Sequence, residues 1–348
     1  MIGRKKFYDN ESAVSVLVGT LALIAVVIAG TIGIASIVGA FSTDVSKHAS
    51  PDASVAATQT PVYIAGSDNM DVLTRSLATS YAEENSGVRI VSGILVPDGI
   101  YPAIISKTVD IGALAGLISY TDITKNPDIQ TTQIGSSAVV IITNKATPGV
   151  TNINNPLTVP DIKAFFTNNA LGANLDPNAK AVTRSDVSGT ADTFYNSFLG
   201  MSTLQSIPAG APSQNSDADL ISYVAATPYA IGFADYGDVE SAINNNAEPV
   251  SIIKIQDALF TYSSWNYNDL KVAAKYQYLS TQRHADGSLV WTGTQADVPQ
   301  YPLTLYYPLY YVTKDKPNTL QQGVLNYATS PAARPAFMRA NVFSVADF

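Results

Sequence analysis

The chain of 348 residues has no cysteine and only two histidines. The first absence excludes a disulfide scaffold, a thiolate nucleophile and any cysteine-bound metal. Stability must then come from burial, which a chain of this size supports. The second absence leaves little for a Ser–His–Asp arrangement or a histidine-rich metal centre. His48 lies in a Ser/Ala/Thr-rich stretch and His284 in the turn-like run 282–287. Positive charge is scarce as well: 20 Lys and Arg stand against 28 Asp and Glu, a formal net charge of −8. Residues 1–12 contribute +1 of it, through Arg4, Lys5 and Lys6 against Asp9 and Glu11, so the remainder carries −9. With no basic cluster beyond residue 6, nucleic acid is not an expected partner, since it needs a positive footprint. No nucleophile–base pair or metal-ligand set stands out, so neither an enzyme nor a cofactor is expected.

What the chain does have is an apolar run. From Ala13 to Thr43 there is no charged residue. As a helix rising ~1.5 Å per residue it would be roughly 45 Å long, more than the ~30 Å hydrocarbon core of a bilayer. Arg4, Lys5 and Lys6 precede it, which puts the N-terminus inside and the following 300 or so residues outside. A cleaved secretory signal has a shorter apolar core. A plain single-pass anchor and a helix-packing segment remain as readings. For the second, Gly19, Ala22, Ala25 or Val26, Ala29, Gly33, Ser36 and Ala40 recur every three or four positions, a small-residue face that lets another helix approach closely.

The stretch Asp9-Asn-Glu-Ser-Ala-Val-Ser-Val-Leu-Val-Gly-Thr20 resembles the N-terminus of archaeal type IV pilins. That resemblance implies a class III signal peptide cut on the cytoplasmic side, after Lys6 or after Ser12, and a retained helix that becomes the core of a filament. It implies identical subunits as partners through that helix, and the membrane before assembly. The expected organisation is a leader over 1–12, a transmembrane or filament-core helix over 13–41, a flexible linker over 42–60 and an outer domain over 61–348.

In the outer domain, strands are predicted at 61–65, 88–95, 109–113, 136–144, 180–184, 230–234, 250–255 and 303–312. Helices are predicted at 70–84, 100–107, 157–167, 189–199, 217–226, 320–327 and about 335–339. The alternation implies a parallel α/β layer structure. Residues 256–300 read as irregular and rich in Tyr and Trp, with Tyr262, Trp265, Tyr267, Tyr276, Tyr278 and Trp291 suited either to packing or to a contact surface.

Six stretches in this order resemble the phosphate-binding proteins of ABC importers: 63–67, 108–113, 157–166, 183–190, 230–237 and 327–331. The resemblance implies an α/β fold of the type II periplasmic-binding-protein kind. Its two lobes would lie at about 61–140 with 235–348, and at about 141–234. It also implies phosphate or another oxyanion as the ligand class.

Arg184-Ser-Asp-Val-Ser-Gly-Thr190 is the sharpest candidate site. A strand end, a Ser-Gly-Thr turn and a helix start can bind an anion, with Arg184 adding a planar fork steadied by Asp186. Equally, Ser188 or Thr190 can simply cap the helix while Arg184 pairs with Asp186. By resemblance, Arg184, Ser188, Gly189 and Thr190 are the phosphate-binding residues. The facing wall departs from the family: Ser67 is followed by Asp68 and Asn69, Asp98 stands in place of a Gly/Ser loop, and Ala115 replaces a proton-accepting acid. Asp68 is expected to take over as proton acceptor, to select a cationic or zwitterionic ligand, or to pair with Arg184 across a closed cleft. The main expectation is a surface-filament subunit with a degenerate cleft, with a membrane-tethered oxyanion receptor as the alternative.

Overall fold

The computed structural model describes residues 59–116, 118, 124–201, 210–245, 249–256, 267–282, 290 and 302–348. The leader, the 13–41 segment with Gly19, Ala22, Ala29, Gly33 and Ala40, and most of the linker lie outside these residues. Among the described residues no helix is long and apolar enough to cross a membrane. Gln59–Phe348 forms one compact unit.

The unit opens with β1 (Thr60–Gly66), which leads through a single 3-10 turn into α1 (Asp71–Glu84). Leu73, Leu77 and Tyr81 recur at four-residue spacing on α1 and are buried, as their periodicity predicts. Next come β2 (Val88–Ile94), α2 (Pro97–Ile105) and β3 (Ile111–Ala115). The helix α2 begins earlier than predicted, because Pro97 stands at a first-turn position where its missing N–H costs nothing. β1 pairs in parallel with both β2 and β3.

The alternation then stops. β4 (Ile129–Asn144) is one strand of 16 residues, seven longer at its start than the 136–144 prediction. It is followed by β5 (Leu157–Thr158) and α3 (Val159–Asn168), where Thr158 Oγ accepts the Asp161 N–H at 3.1 Å as N-cap. The predicted strand 180–184 breaks at Val182. β6 (Lys180–Ala181) joins the large sheet beside the strand Ala230–Asp235, while β7 (Thr183–Arg184) pairs with β8 (Ser213–Gln214) in a separate ribbon. Between them lies α4 (Gly189–Asp192), continued to Leu199 by a π-helical stretch.

After β8 come α5 (Asp217–Ala226), β9 (Ala230–Asp235), α6 (Tyr236–Asn244), β10 (Val250–Ile252) and β11 (Ile255–Gln256). Within the stretch read as irregular stands α7 (Tyr267–Thr281), whose buried Leu270, Ala273 and Ala274 keep helical spacing that the surrounding Tyr, Gln and Lys obscure. The chain ends with β12 (Tyr306–Lys314), α8 (Thr319–Ala328), α9 (Arg334–Arg339) and β13 (Phe343–Ser344).

The large sheet is mixed rather than parallel, with order β2-β1-β3-β12-β4-β9-β6. β4 is the reason. Its first part, Ile129–Ala138, pairs antiparallel with β12, and its second, Val139–Thr143, pairs antiparallel with β9. One strand thus serves both lobes, and β12 returns alongside it. Each lobe buries its own side chains: Ile64, Leu73, Ile100 and Ile111 in the first, Phe165, Phe166, Phe198 and Phe233 in the second. In the second lobe the Phe194 and Phe233 rings stack with centroids 3.8 Å apart. In β12, Tyr307 and Tyr311 are fully buried, so the aromatics there are core.

Candidate functional site

The loop 184–190 is organised by its arginine. The Arg184 side chain is wholly buried, and its backbone is fixed by Tyr195, whose hydroxyl bridges the Arg184 N–H and carbonyl at 2.9 and 3.0 Å. Nε donates to Asp186 Oδ1 at 2.7 Å and Nη2 to Asp186 Oδ2 at 2.5 Å, a bidentate fork. Nη2 also reaches Ser188 Oγ at 3.2 Å. Ser188 Oγ in turn accepts the Ala191 N–H at 3.2 Å, so Ser188 is the N-cap. To that extent the plain capping arrangement is realised.

A residue that the sequence reading treated only as a helix start completes the loop. Asp217, the first residue of α5, sends Oδ1 to Arg184 Nη1 in a close ion pair. Burial alone would lower the pKa of Arg184, but the charges of Asp217 and Asp186 beside it hold it well above the ordinary value. Asp217 Oδ1 also accepts the Asp235 N–H at 2.8 Å. Its Oδ2 accepts Thr190 Oγ at 3.2 Å and Asn69 Nδ2 at 3.1 Å. Asn69 Nδ2 meets Thr190 Oγ at 3.0 Å as well. The turn after β1 in one lobe is thereby joined to both Thr190 and Asp217 in the other.

The backbones of the two walls touch. A Cβ on Gly189 would fall 2.5 Å from the Ala115 carbonyl oxygen, and one on Gly116 would fall 3.1 Å from Gly189 Cα. Gly116 has φ of +116°, a conformation suited to glycine. Ala115 therefore contributes backbone contact here. On the same wall, Ser67 is buried and its hydroxyl has no hydrogen-bond partner among the described residues. Asn69 Oδ1 is likewise without one.

Asp68 does not pair with Arg184: among the described residues its carboxylate accepts only the Asn69 N–H, at 2.9 Å. Its side chain lies exposed in the turn between β1 and α1, where the short Asn69 takes the inward position. Desolvation raises the Asp68 pKa above its ordinary value, aided by the Asp217 charge. Asp98 is exposed in the first turn of α2.

Beneath the loop, where β4 passes from β12 to β9, lies a further carboxylate, Asp235. Asp235 Oδ2 accepts Ser137 Oγ at 2.5 Å and, in a short hydrogen bond, the Tyr307 hydroxyl. Asp235 Oδ1 accepts the Gly237 N–H at 2.8 Å. Burial first, and the Asp217 charge second, push the Asp235 pKa up to about 6. Asp238, in the first turn of α6, is also raised by desolvation and by the charges of Asp235, Asp217 and Asp68.

The structure thus brings Arg184, Ser188, Gly189 and Thr190 together with Asn69, and adds Asp217 and Asp235. The signal that could have found Asp217 is Asn215-Ser-Asp-Ala-Asp219, a helix start carrying more acid than a cap requires. Chemically the cluster can hold and orient a small polar group. Among the described residues no group of His, Cys, Asp and Glu could hold a metal ion.

A family model described as a PBP superfamily domain matches residues 51–332. A solved protein from Clostridium perfringens, described as a phosphate ABC transporter substrate-binding protein with bound phosphate, superposes with a TM-score of 0.59 at 15% identity, covering 82% of this chain and 100% of its own. An ABC-type phosphate transport receptor from Vibrio cholerae gives 0.57 at 14%, with the same coverages. PstS from Borrelia burgdorferi gives 0.52 at 12%, covering 82% of this chain and 99% of its own. These likenesses establish the fold. No curated protein sequence matches significantly.

Proposed function

The chain belongs to the PBP superfamily, and from that premise we propose that its outer unit is a receptor module for phosphate or a chemically similar oxyanion, tethered at the cell surface by residues 13–41. The observation that carries the reading is the loop 184–190: a buried guanidinium and two hydroxyls, Ser188 and Thr190, converge on one point, with Ser67 and Asn69 on the facing wall. That two of the similar solved proteins are described as a phosphate ABC transporter substrate-binding protein and a phosphate transport receptor supports this ligand class. The module binds rather than catalyses, and its affinity is low, because Asp186 and Asp217 already engage the guanidinium. Calorimetry of the full chain in detergent should show phosphate binding on the order of a millimolar, about 4 kcal/mol. Arg184→Lys, which keeps the charge and loses the fork, should abolish it. Absence of any response to phosphate, arsenate or sulfate would remove the reading.

A second reading, favoured by the small-residue face Gly19, Ala22, Ala29, Gly33 and Ala40, makes the same module the displayed part of a filament built on that segment. Electron microscopy of cell-surface material and the mass of the mature N-terminus test it. Filaments and a chain starting at Phe7 or Ala13 support it, whereas an intact Met1 and dispersed particles exclude it.

A further inference from the structure

We propose that Asp217 is the resident anion of this cleft: its carboxylate occupies the position an external oxyanion would take and latches the two lobes together. A carboxylate offers about four acceptor sites, and Asp217's oxygens meet four partners, three by hydrogen bond and Arg184 Nη1 by ion-pair contact alone. They take Arg184 Nη1 and the Asp235 N–H on one oxygen, and Thr190 Oγ and Asn69 Nδ2 on the other. Three of those donors, a guanidinium, a hydroxyl and an amide, are of the kind that recognise phosphate oxygens. The fourth is the backbone N–H at the end of β9.

Arg184 has five N–H donors. Two go to Asp186 and one to Ser188, while Nη1 lies in ion-pair contact with Asp217 without a well-directed hydrogen bond. An ion pair serving only to stabilise the second lobe would need no partner from the first. Asn69 supplies that partner, so the same carboxylate that fills the site also ties the walls. The electrostatics agree: Arg184 is outweighed by Asp186 and Asp217, and the Asp68, Asp235 and Asp238 charges also act within the cluster. A phosphate dianion can therefore take over the three donors on Arg184, Thr190 and Asn69 only by displacing Asp217.

This inference deepens the receptor reading and rests on it for the ligand class. Two readouts separate them. One is calorimetric titration of inorganic phosphate into the full chain. The other is the lobe-to-lobe distance between spin labels at Val72→Cys and Leu171→Cys, exposed positions in a chain without other cysteines. Asp217→Asn keeps size and the acceptor for Asp235, but turns a donor toward Asn69 and Thr190. It should tighten phosphate binding at least about tenfold, the factor attached to each ~1.4 kcal/mol, and shift the distance distribution outward. Tight phosphate binding by the wild type, weakened by Asp217→Asn, would overturn the proposal and leave the receptor reading intact. An outward shift with no phosphate binding by either form would support the latch and remove the receptor reading. No shift and no binding would overturn both. Should Asp217→Asn fail to fold, Asn69→Ala leaves the Arg184–Asp217 pair inside its lobe and must give the same shift, and an unchanged distance overturns the proposal.

Discussion

The two walls of the cleft are built on different terms. The wall from the second lobe is a dense polar assembly: Arg184, Asp186, Ser188, Thr190 and Asp217 are joined by hydrogen bonds and ion pairs. The wall from the first lobe offers Asn69, a Ser67 hydroxyl unpartnered among the described residues, and the backbone of Ala115 and Gly116. A binding site shared between lobes needs donors from both. Here one lobe supplies donors and acceptor alike, so its half of the site is complete before any ligand arrives. The first lobe contributes closure more than recognition.

The comparison breaks most sharply at Arg184. Arg184→Ala leaves the buried Asp217 and the half-buried Asp186 without their cation, and removing one partner of a buried pair typically costs ~3–5 kcal/mol. Urea unfolding should show a loss of that size, and a loss under ~1 kcal/mol would mean that the cluster is better solvated than its burial implies.

Next in size is a pH effect centred on Asp235. Its pKa is raised from 3.8 to about 6, so over that window the folded state binds more protons than the unfolded. Stability contributed by the protonated form is present below about 4 and lost as pH rises through about 6, up to ~3 kcal/mol. Thermal melts across pH 4–7 should show this decline, and Asp235→Asn should reduce it, leaving the part due to Asp238 and Asp68.

Gly189→Ala comes third. The added methyl meets the Ala115 carbonyl, a backbone group that cannot rotate aside, at 2.5 Å. A cost of ~1–3 kcal/mol is expected. Gly87→Ala, where nothing lies within 4 Å of the new methyl, should stay within ~0.5 kcal/mol. Equal effects at the two glycines would deny the close approach of the walls. The smallest effect belongs to Asn69→Ala, which removes two hydrogen bonds from a half-buried position and should cost about 1–2 kcal/mol.

How far the sequence could be read follows the range of the interactions. Periodicity located α1 because Leu73, Leu77 and Tyr81 answer to a local rule, and Thr158 with Pro160 marked the start of α3 for the same reason. β4 was read seven residues short because Ile129–Gly135 mixes polar and apolar positions, and only its pairing with β12 makes it a strand. The parallel-sheet expectation failed at the same strand, whose antiparallel neighbours come from distant parts of the chain. In the site, the loop 184–190 was legible because its chemistry is contiguous. Asp217 and Asp235 were not, because their roles arise only when residues 27 and 98 positions away in sequence, Thr190 and Ser137, are brought beside them. Pairing of Asp68 with Arg184, one of three roles open to Asp68 in the sequence, is not realised, because the turn geometry gives the inward place to Asn69.

The central claim is that the retained half-site is already filled by the protein's own carboxylate. A crystal structure of the wild-type chain grown in saturating phosphate tests it directly. The account predicts one of two arrangements: Asp217 on Arg184 and Thr190 with no phosphate between the lobes, or phosphate on those donors with Asp217 swung away. Phosphate held by Arg184, Ser188 and Thr190 while Asp217 keeps all four of its contacts would contradict it.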